Sequence, residues 1–573
     1  MKTITYRKFF WGFCLVLLTG ISASATAQTS YYFYVQLKNK NNSTYSLSNP
    51  SAYLSQRSIA RRTAFNIPVD STDLPVNPQY VSQIENLGVH VHSASKWMNG
   101  VTVLIRDSSF FKYTFNTIKN KIDTTIIHVP DSGQLRILKS LKCINSIEYT
   151  GNLVGPALTP VQKSPEQDLS FNYGTASGQI NQLKGTQLHN EGYRGKGIHI
   201  GVIDAGFTNV DINPCFDSLR LQGRLLGTKD IINPNSNIYA EDSHGAMVLS
   251  TMAGNLQGQY LGTAPEASYW LIRTEYVPTE YKVETDFWCS GIEFADSVGV
   301  NMVTSSLGYS QFDDHSMDFK YADMNGKVSR ASRAATLASK KGIVVLVAAG
   351  NEGNAAWHYI SSPADADGII SVGAVTSTGT PSYFSSFGPS SDGRIKPEIC
   401  ATGTSSALVD VSGSTTYGNG TSFATPIMAG MMACLLQKYK VSNQVLNITS
   451  LLNSVFRTGS LYANPTAQMG YGIPDFQKAE QNLLLLNSLN LTKKEKFDIT
   501  YNSVSKTIHI SLVNNLISNE SFIRIYSIIG KLLVNQPLNV TSTTIPVDKL
   551  SKGIYAVCVT ENGKTETKKI LIQ

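Results

Sequence analysis

The sequence predicts an α/β protein in three parts. A parallel-sheet domain covered by helices on both faces is preceded by a small α+β unit and followed by an all-β sandwich domain. Three observations carry this reading. Apolar runs such as GIHIGVID, GIVVLVAAGN and GIISVGAV alternate with helix-like stretches such as HGAMVLSTMAGN between about 170 and 485. Strands apolar throughout are buried on both faces, which a parallel sheet between helical layers provides. The segment VGPALTPVQKSPEQ, rich in proline, closes a preceding unit, and beyond about 490 the chain turns to short strands and polar turns.

At 573 residues the chain is too long for one ordinary core. Hydrophobic residues at 42% and charged residues at 16% are typical of folded globular material. The formal charge is +7, and from 491 to 573 eleven Lys and Arg face six Asp and Glu, so most of the excess lies in the last part. No arginine-rich or aromatic-interleaved patch stands out, so nucleic acid is not an expected partner.

The N-terminus reads as an export signal. Lys2, Arg7 and Lys8 precede FFWGFCLVLLTGI, then come SASATAQ and an Ala-x-Ala site at Ala25–Ala27. The apolar run is shorter than the ~20 residues a membrane span needs, so residues 1–27 are expected to be cleaved. Cys143, Cys215, Cys289, Cys400, Cys434 and Cys558 would remain, at no metal-ligand spacing. Export permits disulfides, and isolated buried thiols fit as well.

The α+β unit is expected over 28–168. YYFYVQL reads as a strand, NPQYVSQIENLG as a helix, and VHVHSASKWMNGVTVLI as two strands turning at Asn99–Gly100. SGQLRILKSLK then reads as a helix and INSIEYT as a strand. The parallel-sheet domain occupies 169–487. The all-β domain, 488–573, carries FDITYN, TIHISLV, FIRIYSIIGKLLV, STTIPV, GIYAVCVTENG and TETKKILIQ, with no evident chemistry.

In a doubly covered parallel sheet, functional residues gather at the carboxyl ends of strands. Asp204 ends GIHIGVID, Asn351 ends GIVVLVAAGN, His244 opens a helix, and Ser422 in NGTSFATPIMAG stands before another. Singly these are a turn-capping aspartate, a turn asparagine, a structural histidine and a helix-capping serine. Jointly they meet one chemical requirement. A serine hydroxyl needs a neutral imidazole as base, and that imidazole needs a carboxylate to fix its tautomer. The oxyanion of a tetrahedral intermediate needs donors, which an asparagine amide and a helix N-terminus supply.

The chain order Asp, His, Asn, Ser is that of the subtilisin arrangement, and the surrounding motifs resemble the subtilase (peptidase S8) family. VIDAGF is similar to that family's aspartate motif, SHGAMVLSTMAG to its histidine motif, AAGNEG to its asparagine block and NGTSFATPIMAG to its serine motif. LGTAPEASYWLIRT, VTSSLGYS and FSSFGPSSDGRIKPEICATG resemble the segments around its substrate cleft. The resemblance covers about 180 to 480. It implies a secreted serine endopeptidase acting on protein or peptide substrates, with Ser422 as nucleophile, His244 as general acid/base and Asp204 as its orienting carboxylate. Asn351 and the Ser422 N–H would form the oxyanion hole. Ser305, Ser306, Leu307 and Gly308 would pair with substrate backbone, and Ala348, Ala349 and Gly350 would line the S1 pocket. Glu352 would favour a basic P1 residue, or simply face solvent.

No cofactor is required for such chemistry. The short connection NLQGQYLGTAP lacks the acidic residues of a calcium loop, so no metal ligand is assigned. Structural calcium elsewhere stays open, with Asp313–Asp314 reading first as a solvated loop. LSQRSIARR and SKWMNGVTV resemble the propeptides of secreted bacterial subtilases, which implies a zymogen inhibited by its own N-terminal unit. RIYSIIGKLLVNQ and VDKLSKGIYAVCVTENGKTETKKILIQ resemble type IX secretion sorting domains. That implies passage through the periplasm to the cell surface or medium and a partnership with the secretion machinery, and the enzyme is expected to be a monomer. Two readings compete: an inactive surface-binding protein, which the four intact positions oppose, and an adhesin whose working part is the β-domain. Sedolisin-type chemistry is excluded, because it uses a glutamate where this chain has His244.

Overall fold

The computed structural model describes residues 30–153, 172–483 and 497–572, apart from short stretches at 117–120, 442–446, 503–505, 513–520, 528–529, 539–541 and 562–563. The expected signal peptide and the proline-bearing segment 154–167 lie outside the described residues. The chain divides into two compact units, 1–481 and 482–573.

In the N-terminal part, β1 (Ser30–Leu37) is followed by helices α1 (Gln56–Ala64) and α2 (Pro78–Glu85), then β2 (His90–Ser95) and β3 (Gly100–Ile105). A hairpin of β4 (Phe110–Asn116) and β5 (Lys121–Ile127), helix α3 (Ser132–Lys139) and β6 (Ile144–Leu153) complete it. The strands form a sheet of order β2-β3-β1-β6, with β1 antiparallel to both neighbours. Neither α1 nor the β4–β5 hairpin was expected from the hydrophobic pattern. Helix α1 buries Arg61 and Arg62 instead of an apolar stripe, and the hairpin exposes Phe111 and Tyr113.

Next come the short helices α4 (Ser177–Gln182) and α5 (Thr186–Asn190), β7 (His199–Asp204), α6 (Asp217–Leu221) and β8 (Leu225–Asp230). Helix α7 (His244–Ala253), the small pair β9 (Asn255–Leu256) and β10 (Tyr260–Leu261), β11 (Ser268–Arg273) and α8 (Val283–Val298) follow. Then β12 (Met302–Ser305), α9 (Arg330–Lys340), β13 (Val344–Ala348), β14 (Ile370–Val375) and β15 (Ile399–Thr402) lead to the hairpin β16 (Ser406–Val409)–β17 (Thr415–Gly418). Helices α10 (Thr421–Val441) and α11 (Ile448–Phe456) follow, and a last helical stretch at 476–483 ends this part.

The expected parallel sheet is present, seven strands in the order β15-β14-β13-β12-β7-β11-β8, every pair parallel. Helices α7 and α10 pack on one face, and α8 and α9 on the other. The chain goes from β7 towards β8 and β11, then crosses to β12 on the opposite side. This reversal opens a crevice at the carboxyl ends of β7 and β12, where ligands bind in open α/β sheets.

The N-terminal sheet lies against α8. Tyr32, Tyr34, Trp97 and Met98 share one buried cluster with Phe287, Trp288 and Ile292. Charges join the same interface. Asp296, fully buried on α8, accepts from Arg61, from Arg62 at 3.0 Å and from Lys96 at 2.9 Å. Glu293 takes the Lys96 N–H at 2.7 Å and the Ser95 hydroxyl at 2.6 Å.

The second unit is built from β18 (Phe497–Asn502), β19 (Thr507–Leu512), β20 (Ser521–Ser527), β21 (Leu532–Pro537), β22 (Ser542–Pro546), β23 (Gly553–Glu561) and β24 (Lys564–Ile572). Sheets β18-β19-β22 and β21-β20-β23-β24 enclose a core of Ile508, Ile510, Ile523, Ile525, Val557 and Val559, the expected sandwich. Among the described residues no cysteine is paired in a disulfide, and no helix is long and apolar enough to cross a membrane.

Candidate active site

Asp204 is the last residue of β7 and has no exposure. Its Oδ1 accepts the Ala205 N–H at 2.8 Å and His244 Nδ1 at 2.7 Å. Its Oδ2 is buried without a hydrogen-bond partner. His244 opens α7, where the Asp242 side chain accepts its backbone N–H at 2.7 Å. The glycine after it permits the approach: a Cβ at Gly245 would stand 2.4 Å from Gly206 O and 2.8 Å from Asp204 Cβ.

Burial alone would depress His244. The Asp204 charge and hydrogen bond outweigh it, with Asp242 and Glu275 adding to them, and the imidazole titrates above an ordinary histidine. A carboxylate bonded to Nδ1 leaves Nε2 as the ring's basic atom, the arrangement a general base requires.

Ser422 lies in the first turn of α10 and is 8% exposed. Helix α10 begins at Thr421, so Ser422 is its second residue and not its cap. The cap role falls to Asn351, three residues beyond β13, whose Oδ1 accepts the Thr421 N–H at 2.9 Å and the Thr421 hydroxyl at 3.0 Å. With Oδ1 committed, the Nδ2 of Asn351 is the end left to donate. The Phe423 ring, beside Ser422, lies 6.0 Å from the His244 ring. No hydrogen bond joins Ser422 Oγ to His244 among the described residues, and such contacts often tighten only with substrate bound.

The remaining expected positions surround this group. Ser305 ends β12, and its hydroxyl faces inward to accept from Trp288 Nε1 at 3.0 Å. Ser306 Oγ donates to Ser422 O at 2.8 Å, tying this segment to α10. Leu307 is nearly buried and Gly308 exposed. Ala348 and Ala349 are buried, and the Gly350 N–H donates to Thr421 Oγ1 at 3.3 Å. Glu352 is held inward by Ser386 Oγ, which donates to its Oε2 at 3.0 Å. Asp313 and Asp314 are engaged by backbone N–H groups of Glu280 and Ser316.

Two contributors escape sequence reasoning. Thr421 orients the Asn351 amide. Buried Arg273 donates to Ala205 O at 2.9 Å, pairs with Asp230 at 2.9 Å and reaches Glu241 at 3.0 Å, bracing the loops that carry Asp204 and His244. The threonine inside the quoted serine motif was available as a signal; for Arg273 only its place at the end of β11 was.

The model of the subtilase family matches residues 195–472. The central part of the chain belongs to the subtilase family. The chain is a serine-type endopeptidase whose N-terminal part, residues 32–126, matches the peptidase S8 propeptide domain of Bacteroidota. Residues 501–573 match a secretion system C-terminal sorting domain, which directs this subtilase by the type IX route to the cell surface or outside the cell. Subtilisin NAT of Bacillus subtilis subsp. natto is 29% identical over 318 residues, covering 53% of this chain and 74% of that protein. Serine protease AprX of Bacillus subtilis (strain 168) is 31% identical over 278 residues, covering 43% of this chain and 58% of its own length. Among solved structures, the prenylagaramide maturation protease PagA aligns with a TM-score of 0.42 at 23% identity, over 52% of this subtilase and 98% of that chain.

Proposed function

We propose that this subtilase cleaves peptide bonds through Ser422, His244 and Asp204 by way of an acyl-enzyme. Ser422 Oγ attacks the scissile carbonyl while His244 Nε2 takes its proton. Asp204 keeps the imidazole in the required tautomer and stabilises the imidazolium. The oxyanion is met by Asn351 Nδ2 and the Ser422 N–H, at the positive end of α10. His244 returns the proton to the leaving amine, and water releases the acyl group by the reverse sequence. The observation that carries this reading is the 2.7 Å bond between His244 Nδ1 and buried Asp204, at the strand end facing the start of α10.

The substrate chain pairs with backbone of Ser305–Gly308, a recognition mode that reads peptide more than any one side chain. Ala348, Ala349 and Gly350 line the pocket for the P1 side chain. The enzyme is made as a zymogen with parts at 1–27, 28–168, 169–487 and 488–573: signal, inhibitory propeptide, catalytic domain and sorting domain. The catalytic steps use side chains and water alone.

Casein hydrolysis by the wild type and Ser422→Ala, with N-terminal sequencing of the mature form, tests the scheme. The variant should be inactive and remain unprocessed. Equal activity in the two would end the mechanism.

A further inference from the structure

Three carboxyl groups beside the Asp204–His244 pair have no part in that scheme. Glu275 follows β11, Glu280 lies in the next loop, and Glu284 is in the first turn of α8. Carboxylate oxygens of all three lie within 4.8 Å of one another. Glu284 is fully buried and accepts Tyr276 N at 2.8 Å and Tyr281 N at 3.1 Å, closing the loop onto the helix. Glu275 Oε2 accepts from the Tyr309 hydroxyl at 3.2 Å.

Three carboxyl groups this close, one of them fully buried, cannot all stay ionised, so one of them holds a proton. Glu280 is the natural holder. Its Oε1 is buried without a partner, which a neutral carboxyl tolerates better than a charged one. Glu275 already accepts from Tyr309 and suits the acceptor side.

Tyr309 directly follows the segment Ser305–Gly308. It is pinned on its other side, donating its N–H to Ser362 O at 2.7 Å and accepting from Ser362 N at 3.1 Å. Glu280 is tied to the same region, since its carbonyl accepts the Asp313 N–H at 2.9 Å and its own N–H donates to Asp313 Oδ2 at 3.2 Å. The acidic loop and the segment after β12 are therefore joined at two points.

We propose that protonated Glu280 donates to Glu275, which holds the Tyr309 hydroxyl and so positions the segment Ser305–Gly308 for substrate. This rests on the reading of that segment as the substrate edge. Glu275 and Glu280 are positioning residues.

The groups facing the pair are Glu284 from α8, Tyr309 and Asp313 from beyond β12, Asp204 from β7 and His244 from α7. The nearby cation, Lys282, is engaged 2.8 Å away by Glu148 of the N-terminal part. Burial first, then mutual charge, raises Glu280, and burial also raises Glu275 and Glu284. The shared proton is thus kept at neutral pH and lost on the alkaline side, where Glu275 and Glu280 repel and the hold on Tyr309 loosens.

The test is KM and kcat for a peptide substrate between about pH 6 and 10, measured on enzyme matured from the full chain. Wild-type KM should climb about three- to tenfold across the alkaline half while kcat holds. In Glu280→Gln the amide donates permanently, so KM should stay flat over the whole range. Tyr309→Phe, which deletes one hydroxyl, should raise KM at every pH. An alkaline rise in Glu280→Gln matching the wild type would overturn the proposal, as would an unchanged KM in Tyr309→Phe. So would a wild-type rise abolished by millimolar calcium, which would put a metal ion where the proton is assigned. Hydrolysis with a flat wild-type KM sinks this inference alone, whereas hydrolysis surviving Ser422→Ala sinks the catalytic scheme.

Discussion

The Lys96 ammonium lies 2.9 Å from the carboxylate of Asp296, 200 residues further along the chain. Asp296 is buried at the contact between the N-terminal sheet and α8, and Arg61 and Arg62 converge on it as well. Removing one partner from such a group leaves buried charge uncompensated, at about 3–5 kcal/mol. Asp296→Ala should therefore weaken inhibition of the mature enzyme by separately supplied residues 28–168 by about a hundred- to a few-thousand-fold. Lys96→Met, altered only on the inhibitor, controls for damage to the enzyme. Unchanged inhibition constants for both would mean that apolar contacts alone hold the interface.

Acid should loosen the same contact. Burial alone would raise Asp296, yet Lys96, Arg61 and Arg62 bring it well below the ordinary aspartate range. Its contribution is complete above the pKa of an unfolded aspartate and is lost as the pH falls through the depressed folded value. Inhibition should survive mild acid on this account and fail only in strong acid. A midpoint near neutrality would assign the response to another group.

Gly245→Ala should injure stability and catalysis together. The added methyl meets Gly206 O and Asp204 Cβ at 2.4 and 2.8 Å, so α7 must back away from β7. Overpacking of this kind costs about 1–3 kcal/mol, and misplacing a catalytic group by ~1 Å can cost about a hundredfold in rate. Thermal melting beside kcat/KM would check both, and a variant matching the wild type in each would show that the helix yields without strain.

Asn351→Ala should lower kcat by about 10²–10³ with little change in KM, because the oxyanion exists only along the reaction path. Thr421→Val keeps the backbone bond to Asn351 but loses the hydroxyl bond, so about a tenfold loss is expected. Steady-state kinetics on one peptide substrate rank the two. A Thr421→Val loss equal to that of Asn351→Ala would mean that the amide has no other anchor.

The acid limb of the rate profile should report His244. A raised imidazole becomes neutral only at higher pH, so activity should rise with pH through a midpoint above that of an ordinary histidine. Asp242→Asn keeps a competent cap on α7 while removing a charge, and should move the limb to lower pH. A limb that stays in place would show that solvent screens Asp242 from the ring.

What the sequence made legible follows from how each feature is encoded. Asp204 and Asn351 follow apolar strands, and His244 and Ser422 sit at helix starts beside glycines, so local pattern and quoted motifs reach them. The seven-strand sheet is legible for the same reason, since fully apolar runs announce two-sided burial. Helix α8 is not. Glu284, Asp286, Glu293 and Asp296 carry no apolar signal, yet all four are buried: Glu284 caps the loop before its helix, and the other three meet partners on other elements. Arg61 and Arg62 mislead in the same way. Ser305 and Ser306 were read by their backbone, and only the structure shows their hydroxyls turned inward to Trp288 and Ser422.

Helix α8 also sets a timetable for assembly. Two of its acids are paired with cations among the described residues: Asp286 with Arg330 of α9, from the same domain, and Asp296 with Lys96, Arg61 and Arg62. Lys96, Arg61 and Arg62 precede α8 in the chain and so leave the ribosome before it. The polypeptide thus makes the neutralising surface before the acidic helix that must be buried on it. A catalytic domain expressed without residues 28–168 would have to hide that helix unaided, and slow refolding, rescued by adding the missing part in trans, is the expected cost.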